Sequence, residues 1–255
     1  MLVRSDILTA ADGASVAVEN ETAGGDILLI CEHASSTLPE RAGDLGLEAE
    51  ALKSHIAWDP GALVVARLMA SELDGTLVYQ RFSRLIYDCN RPPDSPAAMP
   101  ETSEIYRIPG NEDLSTAERY ARTAALYVPF HDRIAEIVAE RVATGRPPVL
   151  VTVHTFTPVY FGKPRAVEIG ILHDEDSRLA DGMLSAVGAD PPHRVERNQP
   201  YGPADGVTHS LKLHALPNGL MNVMIEVRND LVRDDAGQQR VAAYLCRLLR
   251  EGLTA

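Results

Sequence analysis

The sequence predicts an α/β fold. A single domain over residues 1–255 would carry a central mixed, mostly parallel sheet between two helical layers, a three-layer α/β/α arrangement. Three observations carry this. Short, nearly continuous apolar runs of the kind buried on both faces occur at residues 26–31, 148–153 and 220–225. Segments with apolar residues at helical spacing lie between them, and strands alternating with helices imply a sheet covered on both sides. No linker, repeat or low-complexity tract divides the 255 residues, a length sufficient to bury a large core.

The elements follow in order. Asp26-Ile27-Leu28-Leu29-Ile30-Cys31, preceded by Gly24-Gly25, reads as a buried strand whose following loop begins at Glu32. Val64, Val65, Leu68, Met69 and Leu73 recur at helical spacing over residues 61–73, and Asp74-Gly75 stops the helix. Thr76-Leu77-Val78-Tyr79 and Leu85-Ile86-Tyr87 are the next two predicted strands. Residues 92–111, rich in Pro, Ser and Glu, make a loop long enough to be a lid or a substrate wall. A long helical segment over 115–143 opens on the capping box Ser115-Thr116-Ala117-Glu118 and bends near Pro129. Residues 148–153 form the strongest strand and end on His154. An alternating strand at 167–172, a helix at about 176–187, a strand at 220–225 ending on Glu226, and a closing helix with Val241, Leu245, Leu248 and Leu249 on one face complete the chain.

Composition excludes several function classes. The formal charge of -12, with no basic cluster, argues against a nucleic-acid surface. An anionic substrate would then need a local arginine patch. Cys31, Cys89 and Cys246 are widely spaced, so neither a disulfide framework nor a cysteine zinc site is indicated. No apolar run approaches a membrane span, and Met1-Leu2-Val3-Arg4-Ser5-Asp6 lacks the features of a signal peptide. The expectation is a cytoplasmic enzyme, monomeric or a small homo-oligomer, with a small-molecule substrate and no nucleic-acid or membrane partner.

In open α/β sheets the ligand crevice lies beyond the carboxyl ends of the strands, so polar residues that terminate apolar runs are the site candidates. Glu32-His33, Asn90-Arg91, His154 and Glu226-Val227-Arg228 qualify. A catalytic zinc site takes three ligands from His and carboxylate and needs a nearby base. His33, Asp59 and His154 can supply the ligands and Glu226 the base, with Glu32 and His55 in reserve. Asp59, just before a helix, also reads as an N-terminal cap. Asn90-Arg91, fixed by Pro92-Pro93, would form a corner that binds a carboxylate, or else pair with a surface acid. Arg84 or Arg228 could meet a second carboxylate, and His209 is the choice for a group polarising the scissile carbonyl. His131 and His193 suit surface or capping roles. His173 follows a strand and could line the crevice, although a structural role suits it better, and His214 shares a helical or loop wall with His209.

These residues, taken together, resemble the N-formylglutamate amidohydrolase family. The matching segments are Ile30-Cys31-Glu32-His33-Ala34-Ser35, His55-Ile56-Ala57-Trp58-Asp59, Ser83-Arg84-Leu85-Ile86-Tyr87-Asp88-Cys89-Asn90-Arg91-Pro92, Val153-His154 and Ile225-Glu226-Val227-Arg228. The third is the specific one. The resemblance implies a fold similar to that of the zinc-dependent carboxypeptidases and aspartoacylases, within the wider zinc-exopeptidase and phosphorylase/hydrolase-like class. It further implies Zn2+ or another divalent metal on His33, Asp59 and His154, Glu226 as general base, and Asn90 and Arg91 as carboxylate binders. The activity it implies is cleavage of an N-formyl or N-acyl amino acid carrying a carboxylate. Glu32 and His55 stand where glutamate-specific members carry a proline and tend to carry an acid, so the chain reads as a divergent member. Two competing readings are a Cys31-dependent amidase, with Cys31 and His33 sharing a face, and a metal-free binder of small carboxylates.

Overall fold

The structure, a computed structural model, describes residues 7–255. The stretch 1–6, read above for signal-peptide character, lies outside the described residues. In chain order the elements are β1 (Val16–Glu19), β2 (Ile27–Cys31), α1 (Ala49–Lys53), α2 (Ala62–Glu72), β3 (Thr76–Gln80), a hairpin of β4 (Thr102–Ser103) and β5 (Tyr106–Arg107), α3 (Thr116–Arg122) and α4 (Val128–Ala143). After these come β6 (Val149–Phe156), a second hairpin of β7 (Val159–Tyr160) and β8 (Lys163–Pro164), β9 (Ile169–Leu172), α5 (Arg178–Ser185), β10 (Val195–Arg197), β11 (Asn222–Arg228) and α6 (Asp235–Thr254).

Seven strands form one mixed sheet in the order β1-β3-β2-β6-β11-β9-β10. The central run β3-β2-β6-β11 is parallel throughout, whereas β1 on β3 and β9 on β11 are antiparallel. Side-chain alternation assigns the two faces. Leu29, Cys31, Val151, Val153, Val223, Ile225 and Val227 face the layer made by α2, α5 and α6. Leu28, Ile30, Leu150 and Met224 face the opposite layer, built from α4, α1 and the buried loop through Leu85, Ile86 and Met99. Each fully buried Leu or Ile contributes roughly 1.5–3 kcal/mol of transfer free energy. Continuing the same alternation, His154 and Glu226 emerge on the second face.

Several expected boundaries shift. β6 and β11 run past His154 and Glu226 to Phe156 and Arg228, so both residues sit within strands rather than just after them. Leu85-Ile86-Tyr87 is not a strand. It lies in consecutive turns closed by Ile86 N–H to the Ser83 carbonyl and Arg91 N–H to the Asp88 carbonyl. A buried loop must satisfy its backbone without a ladder, and here side chains do so: Asn111 donates to the Leu85 carbonyl (2.9 Å), Arg122 to that of Ile86 (3.4 Å) and His131 to that of Cys89 (2.8 Å). The apolar run was legible as buried, but its hydrogen-bond partners came from distant residues. The long helical segment starts on the expected capping box, Ser115 with Glu118, and is interrupted by a π-helical stretch, Thr123–Tyr127, just ahead of Pro129. Among the described residues, no helix is long and apolar enough to cross a membrane.

The start of α2 positions the site. Its N-cap is Gly61, at φ 87°, a backbone region that L side chains adopt only with strain. A Cβ there would also meet Val232 Cγ2 at 2.6 Å. Gly61→Ala is therefore expected to lower stability by roughly 1–3 kcal/mol, from strain and contact together. Urea denaturation checks this, and an unchanged midpoint would show that the turn does not constrain the fold.

Candidate active site

Three ligand atoms converge at the carboxyl end of the central strands. His33 follows β2, Asp59 precedes α2, and His154 lies in β6. The separations are 3.2 Å between His33 Nδ1 and Asp59 Oδ2, 3.0 Å between His154 Nδ1 and Asp59 Oδ2, and 3.2 Å between the two Nδ1 atoms. His33, Asp59 and His154 are thus a buried group able to hold a metal ion. The Asp59 cap reading fails. Gly61 is the N-cap and receives no side-chain bond, while the Asp59 carboxylate turns inward, where it also accepts from Thr155 N–H (3.3 Å).

The far nitrogen of each imidazole meets a second buried carboxylate. His33 Nε2 lies 2.6 Å from Asp88 Oδ1. His154 Nε2 lies 3.1 Å from Glu32 Oε2, an ion pair whose angle misses that of a hydrogen bond. Such partners fix the tautomer and leave both Nδ1 atoms facing the centre. Glu32 is thus a supporting carboxylate and not one of the converging ligands; Ser210 Oγ donates to its other oxygen (2.5 Å). Asp88 in turn takes Arg84 Nη2 (2.6 Å), and Arg84 Nη1 lies 3.5 Å from Asp59 Oδ1.

The electrostatics are those of a centre short of positive charge. Burial works to raise the carboxyls, yet His154 holds Glu32 down at about 2, and Arg84 with His33 holds Asp88 well below the usual carboxylate range. The imidazoles respond in the opposite sense. Burial alone would depress them, but Glu32 and Asp59 raise His154 well above its ordinary value, and Asp88 and Asp59 raise His33. Glu226 differs. It is 4% exposed, Oε2 has no hydrogen-bond partner among the described residues, and burial pushes its carboxyl up to about 7 against the pull of His154. Parallel pairing of β6 with β11 sets Glu226 directly beside His154.

A cleft of about 350 Å³ opens onto this centre. His33, Asp59, Arg84, Asn90, Arg91, His154 and Glu226 all line it, joined by His55, Glu104, Tyr160, Tyr201 and Asp205. Asn90 is structurally committed. Its amide donates to the Val207 carbonyl and its Oδ1 accepts from Ser210 N–H, so it ties the 83–91 loop to the 207–210 segment. Arg91 Nη1 donates to the Asn90 and Gly206 carbonyls, which leaves Nε and Nη2 without a protein acceptor among the described residues. His55 bonds Glu104 (2.8 Å) and stands outside the converging group.

Two expected participants lie elsewhere. Arg228, two residues past Glu226 and on the same strand face, has its guanidinium drawn to Asp230 (2.7 Å) and Glu168 (3.2 Å), and it does not line the cleft. His209 bonds the Tyr127 hydroxyl (2.8 Å) and does not line it either. His131, expected at the surface, is buried, bonded to His214 (2.8 Å) and pushed down to about 3 by burial. His173 bonds the Asp174 carbonyl, and His193 lies 3.5 Å from Glu168. Sequence reading missed Asp88, Ser210 and Glu104. Asp88 stood inside the specific motif, but its task shows only once His33, 55 residues away, is placed against it.

Buried carboxylates supporting imidazoles, beside a cleft and an unpartnered acid, make a site suited to hydrolysis. The chain belongs to the N-formylglutamate amidohydrolase family, whose pattern matches residues 25–233, and is a hydrolase acting on an amide bond. The crystal structure of gene product Atu2144 from Agrobacterium tumefaciens is similar at 63% identity and a TM-score of 0.95, covering 97% of this chain and 98% of that one. The N-formylglutamate amidohydrolase from Ralstonia eutropha JMP134 shares the fold at 20% identity and a TM-score of 0.61, over 94% and 98% of the two chains. Comparison with curated proteins gave no match.

Cys31 faces the α2 layer, on the side of the sheet away from His154, and burial raises its thiol well above the ordinary value. Cys89 and Cys246 are also buried. The native protein is therefore expected to show no fast-reacting thiol with Ellman's reagent and three after unfolding. Rapid labelling of Cys31 in the native state would restore it as a nucleophile.

Proposed function

We propose that this protein is a metal-dependent amidohydrolase that cleaves an N-formyl or N-acyl amino acid to the free amino acid and a carboxylate. The observation that carries the reading is the convergence of His33 Nδ1, Asp59 Oδ2 and His154 Nδ1, each imidazole backed by its own buried carboxylate. The donor set fits a divalent cation such as Zn2+: two nitrogens and the Asp59 oxygen, with three further buried carboxylates nearby (Asp88, Glu32, Glu226) and the Arg84 guanidinium paired with Asp88 and Asp59. An ion held there would supply Lewis acidity, polarising the acyl oxygen and making water more acidic.

The chain's own groups do the rest. Glu226, which lines the cleft with its carboxyl raised by burial and Oε2 unbonded among the described residues, accepts the proton of the attacking water. The water oxygen bonds to the acyl carbon, the C–N bond breaks, and Glu226 passes the proton to the leaving amine nitrogen. Arg91, through its uncommitted donors, binds the substrate carboxylate and fixes the amide carbon beside the water. His33 and His154 keep Asp59 ionised, Arg84 with His33 does the same for Asp88, and Asn90 holds the loop that carries Arg91. Ser103 and Glu104 line the cleft, which supports residues 92–111 as a substrate wall. The reading carries with it a cytoplasmic enzyme, monomeric or a small homo-oligomer.

His154→Ala is expected to lose both metal retention and turnover. Metal content of protein purified without chelator is the measurement, and a full complement in the variant, or none in the native protein, would overturn the ligand assignment. Glu226→Gln keeps shape while removing the base. It should retain metal and bind substrate, yet lower kcat by about 100-fold or more; near-normal turnover would remove Glu226 from proton transfer.

A further inference from the structure

Glu32, directly after β2, is a carboxylate withdrawn from solvent, and no arginine or lysine pairs with it among the described residues. Its hydrogen bonding rests on one donor. Ser210 Oγ reaches Oε1 at 2.5 Å, the length of a charge-assisted bond from a hydroxyl to a carboxylate. Oε2 is thereby turned to His154 Nε2, 3.1 Å away, and among the described residues neither of these two atoms has a hydrogen-bond partner.

Ser210 is itself anchored. It is buried, its backbone N–H donates to Asn90 Oδ1 (3.2 Å), and the π-helical stretch Leu211–Ala215 starts from it. Such stretches are rare and recur at functional sites. The hydroxyl cannot follow Glu32 if the carboxylate turns, so the orientation of the pair is set from the Ser210 side. That orientation matters at His154. An imidazole that gives Nδ1 to an ion keeps its one proton on Nε2. Glu32 Oε2 is the acceptor within reach of that proton, while Nδ1 faces His33 and Asp59. Without the Ser210 hydroxyl, Glu32 has no hydrogen bond left among the described residues and is free to turn away from the ring.

We infer that Ser210 is a positioning residue for metal retention: by holding Oε1 it aims Glu32 at His154 and keeps the imidazole in the form that offers Nδ1 to the ion. The inference rests on the metal-dependent reading above.

The test uses the full chain, with zinc as the probe. Zinc affinity is measured by competition with a chromophoric chelator, and the His154 Nε2 proton is followed by 15N-edited NMR of the zinc-loaded protein. The native protein is expected to bind zinc and to show that proton shifted downfield and protected from exchange. Ser210→Ala should weaken zinc binding by about 10- to 100-fold, the usual worth of a group that supports a metal ligand, and should move the proton upfield. Because Ser210 acts through Glu32, adding Ser210→Ala to Glu32→Gln should cost little beyond Glu32→Gln alone. An unchanged affinity in Ser210→Ala, an unmoved proton, or losses that multiply in the double variant would overturn the role of Ser210 and leave the metal reading standing. Should the variants fail to fold, the native spectrum decides, and a fast-exchanging Nε2 proton would overturn the inference. If the native protein binds no zinc, the metal reading falls and this inference with it.

Discussion

The structure depends on one constraint: charges taken out of water must be paired. An uncompensated buried ion costs several kcal/mol, and breaking a buried pair costs a similar amount. Asp59 therefore collects His33, His154, Arg84 and the amide of Thr155 around one carboxylate. Each of those partners recruits its own support, so the pairing spreads outward from β2 and β6 to Asp88, Glu32 and Ser210. The segments that bring these groups are loops, and their routes are set by the need to deliver a charge to a fixed place.

That need explains why the loop through Ser83 to Arg91 is buried but irregular. Ser83 Oγ donates to the Ala57 carbonyl (2.6 Å), just before Asp59, and Asn90 ties the far end to Val207. Between them, Asp88 reaches His33 and Arg84. A strand would have held Arg84 and Asp88, four residues apart, roughly 13 Å from each other; consecutive turns bring them into contact.

The fold was legible where a single stretch of chain carries its own signal. Apolar runs marked β2, β6 and β11, and Ser115 with Glu118 marked the start of α3. Other expectations failed because the deciding partner is not marked by the local pattern. Leu85-Ile86-Tyr87 has the composition of a strand, and only Asn111, Arg122 and His131 replace the missing ladder. His209 and Arg228 have the chemistry of site residues, but Tyr127 and the pair Asp230 and Glu168 claim them. The converging trio was readable because His33 and His154 adjoin or end apolar runs and Asp59 precedes a helix, each a local signal. Their supporting carboxylates were not, since a supporting role is defined by the residue supported.

The register of β6 on β11 has a consequence of another kind. His154 and Glu226 are locked side by side by a continuous backbone ladder in the middle of the sheet, whereas Glu104, Tyr160 and Phe161 ride on two-stranded hairpins at the rim. Under the proposed function, His154 and Glu226 thus sit on the central ladder, while the hairpins only wall the cleft. A lineage can trade one hairpin for another and try new metabolites while its chemical step stays intact. For protein engineers, the same division marks the hairpins as the place to diversify and the central strands as the part to leave alone.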